Sequence, residues 1–285
     1  MKTKGFVLLS CLLVFAAGLQ AQTVKGDGNV ITRTISITDY DKIMISGSMT
    51  FEYEQSSGAP FLSITTDKNI FEYIEAKVEG HKLIIGYKKS GRRNEGYSPT
   101  TYKVKSNSKE LKDLSKSGSG DFIVRSALRL EELDINSAGS GDIEFAKEVN
   151  GKEMKINLAG SGSMLTKGDV ALDEMNINLA GSGKISVGKL RVESLSCNVA
   201  GSGRAQIDGR ADKARFSVAG SGSVKGFELK ASQVNASVTG SGSIELFAEE
   251  ELTASSYGSG NISYRGAPHS INKESGGSGS IRQVN

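Results

Sequence analysis

Nine copies of Gly-Ser-Gly punctuate the later part of the chain, opening at Gly118, Gly139, Gly160, Gly181, Gly201, Gly220, Gly240, Gly258 and Gly277. Successive copies lie 21, 21, 21, 20, 19, 20, 18 and 19 residues apart. A period near 20 that tolerates small insertions is the mark of stacked structural units. Each unit buries its apolar face only against its neighbours, so the fold is a solenoid with a long, regular surface.

The residues between the triplets say which kind of solenoid. Six, four and two positions before a triplet stand Leu133, Ile135, Ser137, then Met154, Ile156, Leu158, then Met175, Ile177, Leu179, and so on to Val234, Ala236, Val238. Four residues after each first glycine stand Phe122, Ile143, Met164, Ile185, Ala205, Val224, Ile244, Ile262 and Ile281. Alternation with period 2 on both sides of a Gly-x-Gly break describes two short strands joined by a corner and excludes a helical repeat. A propeller blade would need about twice this period. The expected fold is therefore all-β, a right-handed parallel β-helix of Gly-Ser-Gly coils, the right hand being the default for parallel strands joined by a crossover. Asn136, Asn157, Asn178, Asn198, Ser217, Ser237 and Ser255 recur three positions before the glycines, and stacking would set them in a hydrogen-bonded column. The composition agrees: 35 glycines but only 3 prolines suit many tight turns, not a collagen-like or disordered chain.

A glycine triplet also invites chemical readings. A phosphate cradle needs a helix after the loop, and none is expected here. A calcium roll would repeat an acidic ligand, but Asp121 and Asp142 give way at later copies to Ser163, Lys184 and Arg204, and a cation cannot sit on a cation. The geometric role remains. Glycine turns with positive φ at no steric cost and lets neighbouring backbones approach. The nine first glycines are thus structural turn residues, and no catalytic, metal or cofactor site is expected.

Residues 1–21 read as a signal peptide, with Lys2 and Lys4 before an apolar run and Ala21 at the cleavage position. The run is too short to span a membrane. A lipoprotein reading at Cys11 competes, but cleavage there would leave only a very short apolar region. Loss of the leader lowers the formal charge from +3 to +1, which gives no case for nucleic acid. It also leaves Cys197 alone in an apolar alternation, a buried hydrophobe in expectation.

Residues 22–105 form a smaller β-rich N-terminal portion, followed by or wound into the β-helix repeats of 106–285. In the first, Ile31 to Ile37 and Ile43 to Tyr53 alternate as strands, while Asp67 would cap a helix through Ile74 that Gly80 ends. Between the two portions, Lys88 to Lys109 is basic and carries Tyr97 and Tyr102. Its plain reading is a solvated loop or linker. Its sharper reading is an anionic-ligand contact through Arg92, Arg93, Tyr97 and Tyr102.

The ordered set Tyr40-Asp41-Lys42-Ile43-Met44-Ile45-Ser46-Gly47-Ser48, then Leu62 to Ile70 and Val78 to Ile85, followed by these triplets, resembles the auto-transporter adhesin head (GIN) domain of exported Bacteroidetes proteins. The resemblance implies a β-helical head and adhesion, and it supplies no catalytic or binding residues. No translocating barrel is expected after Gly277. Together these readings predict a non-enzymatic exported binding module of the periplasm, outer membrane or cell surface. Its partner would be a glycan or another envelope protein, and a homo-oligomer is compatible. An envelope scaffold and a polysaccharide-active enzyme are the competing readings.

Overall fold

The computed structural model describes residues 23–88 and 96–285. Residues 1–21, read above as a signal peptide, and the Arg92–Arg93 pair lie outside them. The fold is a parallel β-solenoid of about nine turns. In each turn a strand runs into the corner glycine and a second leaves three residues later. Strands of successive turns pair in parallel and in register, Ile135 beside Ile156, Ile177 and then Cys197. The Gly-Ser-Gly corners stack glycine on glycine, each first glycine having φ between 102° and 133°. A Cβ added to Gly201 would lie 2.8 Å from the carbonyl oxygen of Gly181, so conformation and proximity both demand glycine.

The inward columns merge into one hydrophobic cluster running from Tyr40 to Tyr264. Volume is balanced across coils. Phe216 is 1 % exposed and occupies a column whose neighbours are Cys197 and Ala236, with Gly226 opposite, where an added Cβ would come within 3.7 Å of the ring. The polar column forms in part, its side-chain ladder being interrupted at Ser217 among the described residues. Asn157 donates to Asn136, Asn178 to Asn157 and Asn198 to Asn178 at 2.9–3.0 Å, and Ser255 donates to Ser237 at 3.1 Å.

The N-terminal portion is wound onto the same stack. Lys42–Gly47 pairs in parallel with Asp113–Gly118, and Thr50–Gln55 with Phe122–Val124, so residues 42–55 form a coil beneath the first triplet. Gly47 has φ 115° and is a tenth corner. The chain then passes below it. Lys82–Tyr87 pairs with Lys42–Gly47, and Tyr102–Ser108 with Thr50–Gln55, before the chain returns to Asp113. The boundary placed at 105/106 thus falls inside a core strand. Antiparallel strands close this end: Phe61–Asp67 and then Val30–Ser36 on one side, Ile74–Glu79 on the other.

Two local expectations change. The helix is one turn, Lys68–Phe71, and Asp67 makes no side-chain cap to it. Ile74 instead begins a strand, and Gly80 with His81, at φ 55° and 62°, turns a hairpin. The basic segment is not merely a linker, because Tyr102 and Val104 face the core, 5 % and 0 % exposed. Lysines at 103 and 105 point outward between them and hide the alternation. At the far end Ser270–Gly277 is exposed throughout, and its core column holds Lys273, whose ammonium sits 4.5 Å from the Tyr264 ring centroid. A charge pointing inward on an edge strand discourages further strand pairing.

Candidate functional site

Side chains at odd positions before each corner form an outward ribbon along the stack. Beside the Asn and Ser column run two others whose composition changes from coil to coil. One reads Glu174, Ser194, Lys213, Gln233, Glu251 and the other Asn176, Ser196, Arg215, Asn235, Thr253, each set in register across five strands. These ten residues line a groove of about 540 Å³. They are there because the β period alternates faces: the residues between them, Leu195, Ala214 and Val234, fill the core.

Among the described residues, Lys213 and Arg215 are the groove's only cations. Both are exposed, and neither has an ion pair or hydrogen bond among the described residues. Their strand neighbours are Ser194, Gln233, Ser196 and Asn235, which are neutral hydrogen-bonding groups. Glu174 and Glu251 stand two strands away, roughly 10 Å at the usual strand spacing. Neither glutamate is ion-paired to the two cations among the described residues. Glu174 already accepts from the Asn176 amide at 2.7 Å. The groove is therefore a hydrophilic trough with an unpaired cationic step between two glutamates.

The tyrosines expected to face a ligand do not share this trough. Tyr97 stacks on Tyr87 at 4.4 Å and leans on Tyr73 at 5.1 Å. Tyr102 lies beneath Tyr87 and is buried. They form an aromatic cluster under the end cap. Lys213 and Arg215 went unread in the sequence because Asp212 precedes them and the net charge is small; only coil-by-coil alignment reveals an unpaired cationic step.

Reactive groups are otherwise engaged. Asp121 Oδ1 accepts the backbone N–H of Asp142, and Asp142 Oδ1 that of Ser163, both at 2.9 Å. In later coils a glycine carbonyl takes over, as when Arg204 N–H donates to Gly183 at 3.0 Å. Cys197 is buried as expected, and burial pushes its thiol up to about 12. Lys116 is 3 % exposed in a core column; burial lowers its pKa, and its ammonium donates to the Gly141 carbonyl at 2.8 Å. Among the described residues no three metal-ligating side chains gather, and no helix is long and apolar enough to cross a membrane.

Comparison with known proteins agrees with this architecture. The family model described as "Putative auto-transporter adhesin, head GIN domain" matches residues 39–208 and 154–268. A crystal structure of a "putative lipid binding protein" from Parabacteroides distasonis is 40% identical, with a TM-score of 0.73, and the match covers 93% of this chain and 100% of that one. A "putative adhesin" from Parabacteroides merdae is 30% identical with the same coverage and TM-score. Another from Parabacteroides distasonis is 28% identical over 92% of this chain and 100% of that one, with a TM-score of 0.72. No functionally curated protein matches.

Proposed function

Because the chain belongs to the family described as putative auto-transporter adhesin, head GIN domain, we propose that it is a non-enzymatic binding module of the cell envelope, exported and acting as an adhesin head. The outward ribbon and its groove are the binding face. The observation that carries this reading is the trough itself: ten outward side chains on five consecutive strands, all able to hydrogen-bond, two of them cations unpaired among the described residues. A row of fixed, evenly spaced donors and acceptors suits a hydrophilic partner such as a glycan or another envelope protein.

Catalysis fits less well. The neighbouring carboxylates Asp121 and Asp142 hold backbone N–H groups, and the thiol of Cys197 is buried and neutral. A neighbour is described as a lipid binding protein; enclosing a lipid tail inside this chain would need an interior that side chains already fill. The scaffold reading would use the exposed strand Ser270–Gly277, where inward-facing Lys273 opposes edge pairing.

The test is a pull-down with immobilised protein from periplasmic, outer-membrane and extracellular-polysaccharide fractions, beside heat-unfolded protein. Retention of one fraction by the folded chain alone is expected. No selective retention from any fraction would sink the binding-module reading. Protease added to intact cells separates the two locations: an adhesin head is cleaved, a periplasmic scaffold is spared.

A further inference from the structure

Charge along the stack is banded. Residues 121–181 carry eleven Asp or Glu against six Lys or Arg; residues 184–230 carry nine Lys or Arg against four acids; residues 243–258 carry four glutamates and no cation. The basic band contains like charges in register. Arg191, Arg210 and Lys230 follow one another in a single outward column, about 4.8 Å apart. Direct like-charge neighbours on a sheet destabilise it. Little in the chain offsets this. Arg210 reaches Glu249 only at 3.6 Å, Lys230 lies 5.9 Å from the Phe247 ring centroid, and Arg191 has no partner among the described residues. Glu193 and Asp212 stand two residues farther along without pairing to them. On the same coil Arg210, Lys213 and Arg215 all point outward, with the exposed Asp212 between the first two.

We propose that this band binds an acidic polysaccharide, a chain of hydroxyl-rich sugars bearing carboxylate or sulfate groups, anchored in the trough by Lys213 and Arg215. The proposal rests on the binding-module reading and specifies its ligand class. Three features select that ligand. The two anchoring cations line a recess that an extended chain can enter, whereas a flat bilayer meets only the ridges. The cations are flanked by Ser194, Ser196, Gln233 and Asn235, which hydrogen-bond sugar hydroxyls as a phosphate layer would not require. No aromatic side chain lines the trough, so it lacks the stacking platform used for single-stranded nucleic acid. Like charges in register repel one another, and a polyanion relieves that repulsion.

The test uses the purified protein with polygalacturonate, dextran sulfate, uncharged dextran and phosphatidylcholine vesicles containing phosphatidylglycerol, each at low and physiological salt. The variants are Lys213→Gln/Arg215→Gln and, with the same change of charge at the capped end, Lys82→Gln/Lys103→Gln. Wild type should bind an acidic polysaccharide, and binding should weaken with salt because the cations are exposed. The trough variant should lose on the order of tenfold or more in affinity with an unchanged melting temperature, and the cap variant should match wild type. Equal binding by both variants would overturn the site. Binding to the vesicles alone would replace the sugar chain by a lipid surface. Binding to uncharged dextran alone would overturn the anionic ligand yet leave the binding-module reading standing. If no probe binds while an envelope fraction is still retained in the pull-down, the inference falls by itself.

Discussion

Gly201 turns the chain at φ 107° with its α-carbon facing the Gly181 carbonyl oxygen. A side chain there meets two penalties, a disfavoured backbone region and a contact of 2.8 Å with a neighbouring coil fixed on both sides. Gly201→Val should therefore cost a few kcal/mol, about 2–4. Gly277→Val should cost less, because the last coil has a neighbour on one side only and can shift. Thermal unfolding of both variants checks this, and equal melting temperatures for wild type and Gly201→Val would remove the stacked-corner account. Such strict demands on single residues are why nine corners are legible in the sequence. The tenth escaped notice because Met49 stands where the other copies have their second glycine. Among the described residues no glycine corner stacks beneath Gly47, where an added Cβ would meet the Tyr87 ring at 3.4 Å.

Among the elements, the end cap departs most from its sequence reading, and Asp67 shows why. The residue has the type and place of a helix cap, yet its carboxylate spans distant segments. It accepts the N–H of Gly28 at 2.8 Å, and the N–H and hydroxyl of Thr100 both at 2.7 Å. Burial alone would raise its pKa; the hydrogen bonds from Thr100 and Gly28 outweigh that and hold the carboxyl below its ordinary 3.8. A lowered folded pKa means the contribution to stability is complete above the unfolded value and is lost as pH falls through the folded one. Asp67→Asn should thus loosen the cap at neutral pH, seen as faster proteolysis and amide exchange in residues 23–36 and 96–100. The difference from wild type should shrink steadily as pH drops below 3.8. A difference that persists undiminished in acid would show that the charge is not what pins these segments. No local pattern around Asp67 could have revealed partners 39 and 33 residues away.

At the scale of the molecule, stacking converts sequence repeats into columns, and a column tells more than any one copy. The outward column that begins with Asp121 and Asp142 continues through Ser163, Lys184 and Arg204, so it changes sign before a cation site can recur. Its two carboxylates already hold backbone N–H groups. Neither EDTA nor excess calcium should move the melting temperature, since a ligand stabilises only a state that it binds; a rise of several degrees with calcium would show an ion site at these residues. The sequence by itself determined the solenoid, its corners, its core columns and its amide ladder, because each follows from local rules repeated at a fixed period: the two-residue alternation of a strand and the conformational freedom of glycine. Only the tertiary structure decided that residues 42–55 belong to the stack, that Tyr102 lies in the core, and that Lys213 and Arg215 stand unpaired in a trough. Those facts depend on which coils become neighbours about 4.8 Å apart. That adjacency comes from the winding of the chain, which no short stretch of residues records.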